Sequence, residues 1–268
     1  MKKKIGLIGG GFQHIVSTTG LENKYVEWVN NSYDCDITMH VDNGLFFPTR
    51  DGTESYGWLC ESKTIITNTY NWAAKNIEYL EKNFIKVFTH DLQLSKKSKI
   101  FQLTQCSGKS FMKDGEVCEK TKLVSMIASN KKMCKEHLYR QEIIKKYSSK
   151  CDHFGRGFNE ILEKKQGLSD YCFSIVVENA TYPNMFTEKI TDCFMTGTIP
   201  IYYGIENIGD FFDIDGIIKL TDDFKIEDLS FDLYYSKMDS IIKNLNYSLN
   251  LLSSEDYIYK NFIENAGK

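Results

Sequence analysis

The sequence predicts an α/β protein built in two halves, each on a parallel sheet. Three observations carry this. Short apolar, β-branched runs alternate with stretches of helical spacing in both halves of the chain. The run Tyr171–Val177 is apolar almost throughout, as a parallel strand covered on both faces must be. The polar stretch 105–119, with Ser107-Gly108-Lys109 and Asp114-Gly115, reads as the junction between the halves. A chain of 268 residues has ample mass for two cores, and the domains are placed at 1–115 and 116–268.

In chain order, Lys4–Ile8 reads as a buried strand, and Gly9-Gly10-Gly11 after it permits a tight turn. A dinucleotide fingerprint starting at Gly9 would need glycine where His14 stands, so a nicotinamide site is set aside. The loop after the first strand still faces the ligand edge of an α/β domain, which makes His14 a candidate to line a ligand cleft. No clean helical pattern follows until the stretch near Glu22. Gly57–Cys60 is a brief strand ending at Glu61, Tyr70–Asn83 has the spacing of one amphipathic helix, and Ile85–Thr89 is the next strand. The second half repeats this grammar. Leu123–Ala128 is a strand, Met133–Tyr147 a helix, and Cys151–Phe154 a strand running into Gly155-Arg156-Gly157. After Tyr171–Val177, Thr187 caps a helix that stops at Gly197 before the strand Ile199–Tyr203. Leu233–Leu252 and Asp256–Ile263 read as closing helices, placed with the second domain and able to pack back across the boundary.

Composition narrows the function classes. Hydrophobic residues at 42 % and charged residues at 26 % describe a globular chain and exclude disordered and collagenous classes. A net charge of −3 calls for no polyanionic partner, so nucleic acid is not expected and any phosphate must be gripped locally. The basic run at Lys131, Lys132 and Lys135 lacks the aromatic ladder of a single-strand binder. Eight scattered cysteines with no C-x-x-C pair read as free thiols and point to a reducing cytoplasm. Met1–Lys4 looks like a signal n-region, but the glycines break the apolar run after Ile8. Stretches such as Phe173–Val177 are too short to span a bilayer, so a soluble protein is expected. Asp34-Cys35-Asp36 and Asp213-Ile214-Asp215 have the form of a metal-binding triplet, but such triplets arise readily by chance and Asp215-Gly216 reads as a turn, so no metal is expected. His90-Asp91 follows a strand, where it is placed to line a ligand cleft.

The chemistry concentrates where the strand Phe173–Val177 runs into Glu178-Asn179 and where the next helix opens with Thr187-Glu188-Lys189. Both lie at the C-terminal edge of a parallel sheet, where open α/β sheets bind ligands. A helix mouth offers free N–H groups and a positive dipole end, Lys189 adds a full charge, and Glu188 can accept from ribose hydroxyls. A nucleoside diphosphate fits such a site.

Phe173–Ala180, Thr187–Ile190 and Gly197–Gly204 together resemble the donor-binding motif of the α-1,3/1,4-fucosyltransferases, glycosyltransferase family 10. Upstream, Lys122–Asn130, Arg140 and Asp152-His153-Phe154-Gly155-Arg156-Gly157 resemble the Ser-Asn, Arg and Asp-x-x-Gly-Arg blocks of that family in the same order. The resemblance implies a GT-B-like architecture, two Rossmann-like domains whose parallel sheets face a central cleft, with acceptor on the N-terminal side and nucleotide sugar on the C-terminal side. It implies an inverting enzyme that moves fucose from GDP-fucose to a saccharide hydroxyl, with no required cofactor and no divalent metal. Arg140 and Lys189 would neutralise the diphosphate, with Ser129, Asn130 and Arg156 in the same nucleotide-binding group, while Glu188 and Asn179 hold the sugars or orient the loop. Inversion calls for one carboxylate base on the N-terminal side. Glu61, in Trp58-Leu59-Cys60-Glu61-Ser62, is the candidate, with apolar neighbours expected to raise its pKa. The sequence departs from the family where Met185 replaces a tyrosine, with Tyr182 nearby, and in a short N-terminal half. Two alternatives stay open: another GDP- or UDP-sugar as donor, or a non-catalytic nucleotide- or saccharide-binding protein of the same fold.

Overall fold

The computed structural model describes residues 1–9, 12, 16–105 and 108–265; His14, the glycines at 10 and 11, and Cys106 lie outside the described residues. The chain divides into two compact units. The first comprises 1–107, 183–185 and 252–268, and the second 108–182 and 186–251. This differs from the expected division at 115/116 and, more consequentially, moves 252–268 to the first unit.

The first unit is a six-stranded, wholly parallel sheet. Its strands are β1 (Lys3–Gly9), β2 (Val26–Asn30), β3 (Ile37–Val41), β4 (Glu54–Leu59), β5 (Val87–Thr89) and β6 (Phe101–Leu103), in the order β2-β1-β3-β4-β5-β6. Between β4 and β5 the crossover is helical, but it is two helices, α1 (Thr67–Lys75) and α2 (Ile77–Asn83), rather than one. They part at Asn76, whose ψ of 43° leaves the helical region and whose side chain donates to the Trp72 carbonyl at 2.8 Å. α3 (Leu92–Ser95) follows β5, capped by Asp91, which accepts the N–H groups of Gln93 and Leu94. Where the first helical pattern was expected, near Glu22, the chain instead forms the strand β2 on the sheet edge.

Alternation along the strands gives this sheet two apolar faces. Leu45, Leu59 and Val87 pack under Tyr70, Ala73 and Leu80 of α1 and α2. On the opposite side, Tyr56, Trp58 and Phe88 pack with Ile258 and Ile263. Those two isoleucines belong to α8 (Ser254–Ile258) and the π-turn that continues it over Tyr259–Ile263. Here is the physical reason that 252–268 joins the first unit: its apolar stripe covers an apolar sheet face, against which Phe12 also packs. Carboxylates fix the segment further. Asp256 accepts the N–H of Lys24 at 2.7 Å and of Tyr25 at 2.8 Å, and Glu255 accepts the N–H and hydroxyl of Thr18 at 2.6 and 3.0 Å.

The second unit is a five-stranded parallel sheet in the order β11-β10-β9-β7-β8. Its elements run β7 (Lys122–Ile127), α4 (Lys135–Lys146), β8 (Asp152–Phe154), β9 (Tyr171–Val177), α5 (Glu188–Met195), β10 (Ile199–Tyr203), β11 (Ile218–Lys219), α6 (Phe231–Tyr235) and α7 (Met238–Asn250). Every residue of β9 is buried, as its sequence requires. Val124, Met126, Phe173, Ile175, Ile199 and Ile201 form a core with Ile143 of α4 and Ile241 of α7. α5 starts at the Thr187 cap and stops before Gly197, whose φ of +66° is left-handed and whose N–H bonds the Phe194 carbonyl at 3.0 Å.

Charge-assisted bonds to backbone N–H groups are worth about 1.5–3 kcal/mol each. Asp256→Ala is therefore expected to destabilise the first unit by about 2 kcal/mol or more, read as a lower midpoint in urea unfolding monitored by the fluorescence of Trp58 and Trp28.

Candidate functional site

In the second unit β8 lies on one side of β7 and β9 on the other, so the chain path reverses between β7 and β9. Ligands of open parallel sheets bind outside the C-terminal strand ends at such a reversal. A cavity of about 260 Å³ occupies this place, with Ser129, Arg140, Arg156, Lys164, Glu188 and Lys189 among its lining residues. The backbone closes in tightly around it. Gly155, at φ +106°, lies so near β7 that a Cβ would overlap the Ala128 carbonyl oxygen, which only glycine avoids.

Arg140 projects from the buried face of α4 and is 5 % exposed. Its Nη2 donates to the Val177 carbonyl at 2.7 Å and to Asn179 Oδ1 at 2.9 Å. Both acceptors are neutral, and among the described residues Arg140 makes no ion pair. Burial pulls its pKa down, partly offset by the fields of Glu178 and Glu188; a guanidinium remains charged regardless. Asn179 is held from a second side by His137. The N–H of Met133 donates to His137 Nδ1 at 3.1 Å, so the ring proton sits on Nε2 and is donated to Asn179 Oδ1 at 3.2 Å. Burial first, and the Arg140 charge second, push the His137 pKa below its usual value, consistent with this neutral tautomer.

At the mouth of α5 charges alternate in sequence and in space. Glu178, fully buried, accepts the Thr187 N–H at 2.9 Å and hydroxyl at 2.7 Å. Lys189 Nζ donates to Thr187 Oγ1 at 2.9 Å and stands 3.5 Å from Glu178 and 3.9 Å from Glu188. On the other side of Glu188, Lys164 Nζ lies 3.0 Å from Glu188 Oε1 and 2.6 Å from Asp192 Oδ2. Asp192 also accepts the Ser110 hydroxyl at 2.6 Å and the Phe111 N–H at 3.1 Å. Burial alone would raise Glu188, but Lys164 and then Lys189 outweigh it and hold the carboxyl well below its ordinary range. For the deeper Asp192, burial prevails and the shift is upward.

The structure thus brings Ser129, Arg140, Arg156, Glu188 and Lys189 around one cavity, with Asn179 touching it through Arg140. Asn130 stands beside it, exposed, its N–H donating to the Arg156 carbonyl at 3.2 Å. Glu61 belongs to the first unit, on the turn after β4. The expectation of apolar walls around it does not hold. Its carboxylate is exposed and accepts the Ser62 N–H at 2.7 Å, because the chain leaves the sheet at Leu59 and turns outward.

The sequence reading missed Lys164 and Asp192, and it missed Asp42. That residue follows β3 at φ +51°, and its Oδ1 accepts the N–H groups of Cys60 at 2.8 Å and Glu61 at 3.2 Å. Burial lifts the Asp42 pKa to about 6 against the pull of those two N–H groups. The acidic triplets are occupied locally: Asp34 pairs with Arg50, Asp36 with Lys3, and Asp213 with Lys243. Among the described residues no group of three or more His, Cys, Asp or Glu is arranged to hold a metal ion, and no helix is long and apolar enough to cross a membrane.

Residues 117–247, which include every lining residue named above, match the glycosyltransferase family 10 (fucosyltransferase) C-terminal domain. The chain carries a glycosyltransferase family 10 domain. Within the curated proteins, 112 residues are 32 % identical to the alpha-(1,3)-fucosyltransferase FucT of Helicobacter pylori, covering 39 % of this chain and 22 % of that protein. The match therefore spans about a fifth of the relative's length. Among solved structures, an α1,3-fucosyltransferase with GDP-fucose superposes with a TM-score of 0.55 at 14 % identity, over 98 % of this chain and 91 % of that one. A T4 phage BGT mutant in complex with UDP-glucose superposes with a TM-score of 0.50 at 12 % identity, over 99 % and 98 % of the two chains. At such identities these likenesses show the fold, and the fold of this chain is that of the GT-B glycosyltransferases.

Burial lowers the pKa of His40, His90, His137 and His153 alike, that of His90 to about 4. For each, the unfolded chain binds the proton more readily than the folded one, so stability is full above the unfolded value of 6.5 and declines as pH falls below it toward the folded value. The melting temperature is expected to drop between about pH 6.5 and pH 4. His137→Asn should flatten part of that slope, as measured by calorimetry across this range.

Proposed function

We propose that the second unit binds a nucleotide sugar through its diphosphate, and that the chain transfers the sugar, fucose from GDP-fucose, to a saccharide hydroxyl with inversion. The observation that carries this reading is Arg140: a buried cation whose hydrogen bonds go to neutral oxygens, facing a cavity it shares with Lys189. A charge taken out of water is tolerated when a counter-charge or dipoles attend it, and a diphosphate in the cavity supplies that counter-charge. The family 10 match over the same residues supports GDP-fucose as donor.

In this reading each residue of the site has a role. Arg140 and Lys189 hold the diphosphate, Lys189 exchanging its contact with Glu178 for phosphate oxygen. Arg156, exposed at the rim, adds a third cation. Ser129 and Asn130 shape the edge after β7. The amide oxygen of Asn179 is committed to Arg140 and His137, so Asn179 orients the arginine, while Glu188 accepts from sugar hydroxyls. In the first unit Glu61 takes the proton of the acceptor hydroxyl as its oxygen bonds the anomeric carbon and the bond to the diphosphate breaks. GDP leaves with the electron pair of that bond, its charge spread over Arg140 and Lys189.

Asp42 favours a second reading of the base. Its elevated pKa suits proton abstraction near neutrality, and it lies against the Glu61 turn. The fold shared with a T4 phage protein that binds UDP-glucose keeps a UDP-sugar as the alternative donor.

GDP at millimolar concentration is expected to raise the melting temperature by mass action. Arg140→Ala and Lys189→Ala should each weaken GDP binding about tenfold or more, as loss of a charge-assisted bond implies; melting indifferent to GDP would refute the site. A panel of nucleotide sugars, scored by release of free nucleotide with and without EDTA, identifies the donor. Glu61→Gln should abolish transfer while leaving GDP binding intact; transfer that survives it but is lost in Asp42→Asn assigns the base to Asp42.

A further inference from the structure

Lys164 plays no part in the roles assigned above, yet it is among the most constrained cations of the second unit. Its ammonium lies between two carboxylates, 3.0 Å from Glu188 and 2.6 Å from Asp192, and 4.1 Å from the centre of the Phe111 ring. The backbone that presents it is locked. Lys164 opens a single 3₁₀ turn, Lys164–Gly167, closed by a capping box between Glu163 and Gln166, with Gln166 Oε1 also accepting the Leu162 N–H at 2.9 Å. Glu188 and Asp192 are four residues apart on α5, hence on one face, where like charges repel. Both line the cavity, as does Lys164.

We infer that Lys164 is a positioning residue, which keeps Glu188 ionised and turned into the cavity so that its oxygens accept from the donor sugar. The inference rests on the donor-site reading and deepens it. Two carboxylates on one helix face in a buried site share a proton unless a cation lies between them. The charged groups around Glu188 are Lys164 from the 3₁₀ turn, Lys189 and Asp192 from α5, and Arg140 from α4. Lys189 and Arg140 are committed to the diphosphate once donor binds, which leaves Lys164 to compensate Glu188. Without it the Glu188–Asp192 pair takes up and shares a proton, so that Glu188 loses acceptor capacity and opposes less of the positive charge that develops on the sugar as its bond to the diphosphate breaks.

The test compares wild type with Lys164→Met, and with Lys164→Gln should the methionine variant fail to fold. Turnover of GDP-fucose is followed against pH, and GDP affinity by calorimetry. In the substituted protein the acid limb of kcat should move up by about one pH unit or more, with activity recovering at higher pH and GDP affinity within about threefold of wild type. Lys164→Arg should restore the wild-type limb. A superimposable profile, or a loss equal at every pH, overturns the inference. Carbon-13 NMR titration of Glu188, assigned with Glu188→Gln, reads the same effect without turnover: an unchanged Glu188 midpoint in Lys164→Met overturns it too. Wild type that fails to bind GDP refutes the donor-site reading alone, and the titration still decides the role of Lys164.

Discussion

A buried guanidinium with neutral protein partners sets the terms for the second unit. Arg140 is kept in place by the carbonyl that ends β9 and by an amide oxygen that His137 fixes from the other side. Each of these groups has to be where it is for the arginine to remain folded inside. The parallel sheet brings the strand end, α4 brings the arginine and the histidine, and the loop after β9 brings the amide. Protein dipoles offset part of the cost of burying the cation and leave its charge uncancelled, which is the property an anion site requires.

Around that centre three buried carboxylates each touch a lysine: Glu178 with Lys189, Glu188 with both Lys189 and Lys164, and Asp192 with Lys164. Such pairs gain little net stability over apolar packing, because desolvation offsets attraction. Their value is geometric. Glu178 keeps two donors from Thr187 whether or not Lys189 remains beside it, so the lysine can leave for a ligand without stranding a buried charge.

Much of this was legible in the sequence, for identifiable reasons. β9 reads as a strand because it is apolar on both faces, α5 because Thr187 and Gly197 bracket it, and the polar edge of the cavity because Glu-Asn and Thr-Glu-Lys fall at strand and helix ends. β2 and β3 were not legible. β2 is a half-exposed edge strand, and β3 buries Thr38 and His40, whose hydroxyl and Nδ1 find partners in Ser55 and the Gly44 carbonyl that no local pattern announces. The helix break at Asn76 turns on one side chain returning to the Trp72 carbonyl. Lys164 reads locally as a solvated basic turn, since its partners lie 24 and 28 residues away. The sequence shows that the stretch from Asp256 to Ile263 is amphipathic, but not which sheet it covers.

That last point bears on how the protein is made. The first sheet is synthesised early, yet Tyr56, Trp58 and Phe88 gain the cover of Ile258 and Ile263 only after the whole second unit has been made. Through most of translation an aromatic surface stays wet. The unit that begins the chain is thus the one that completes its folding last, and the nascent form between those moments is the one most in need of chaperone shielding.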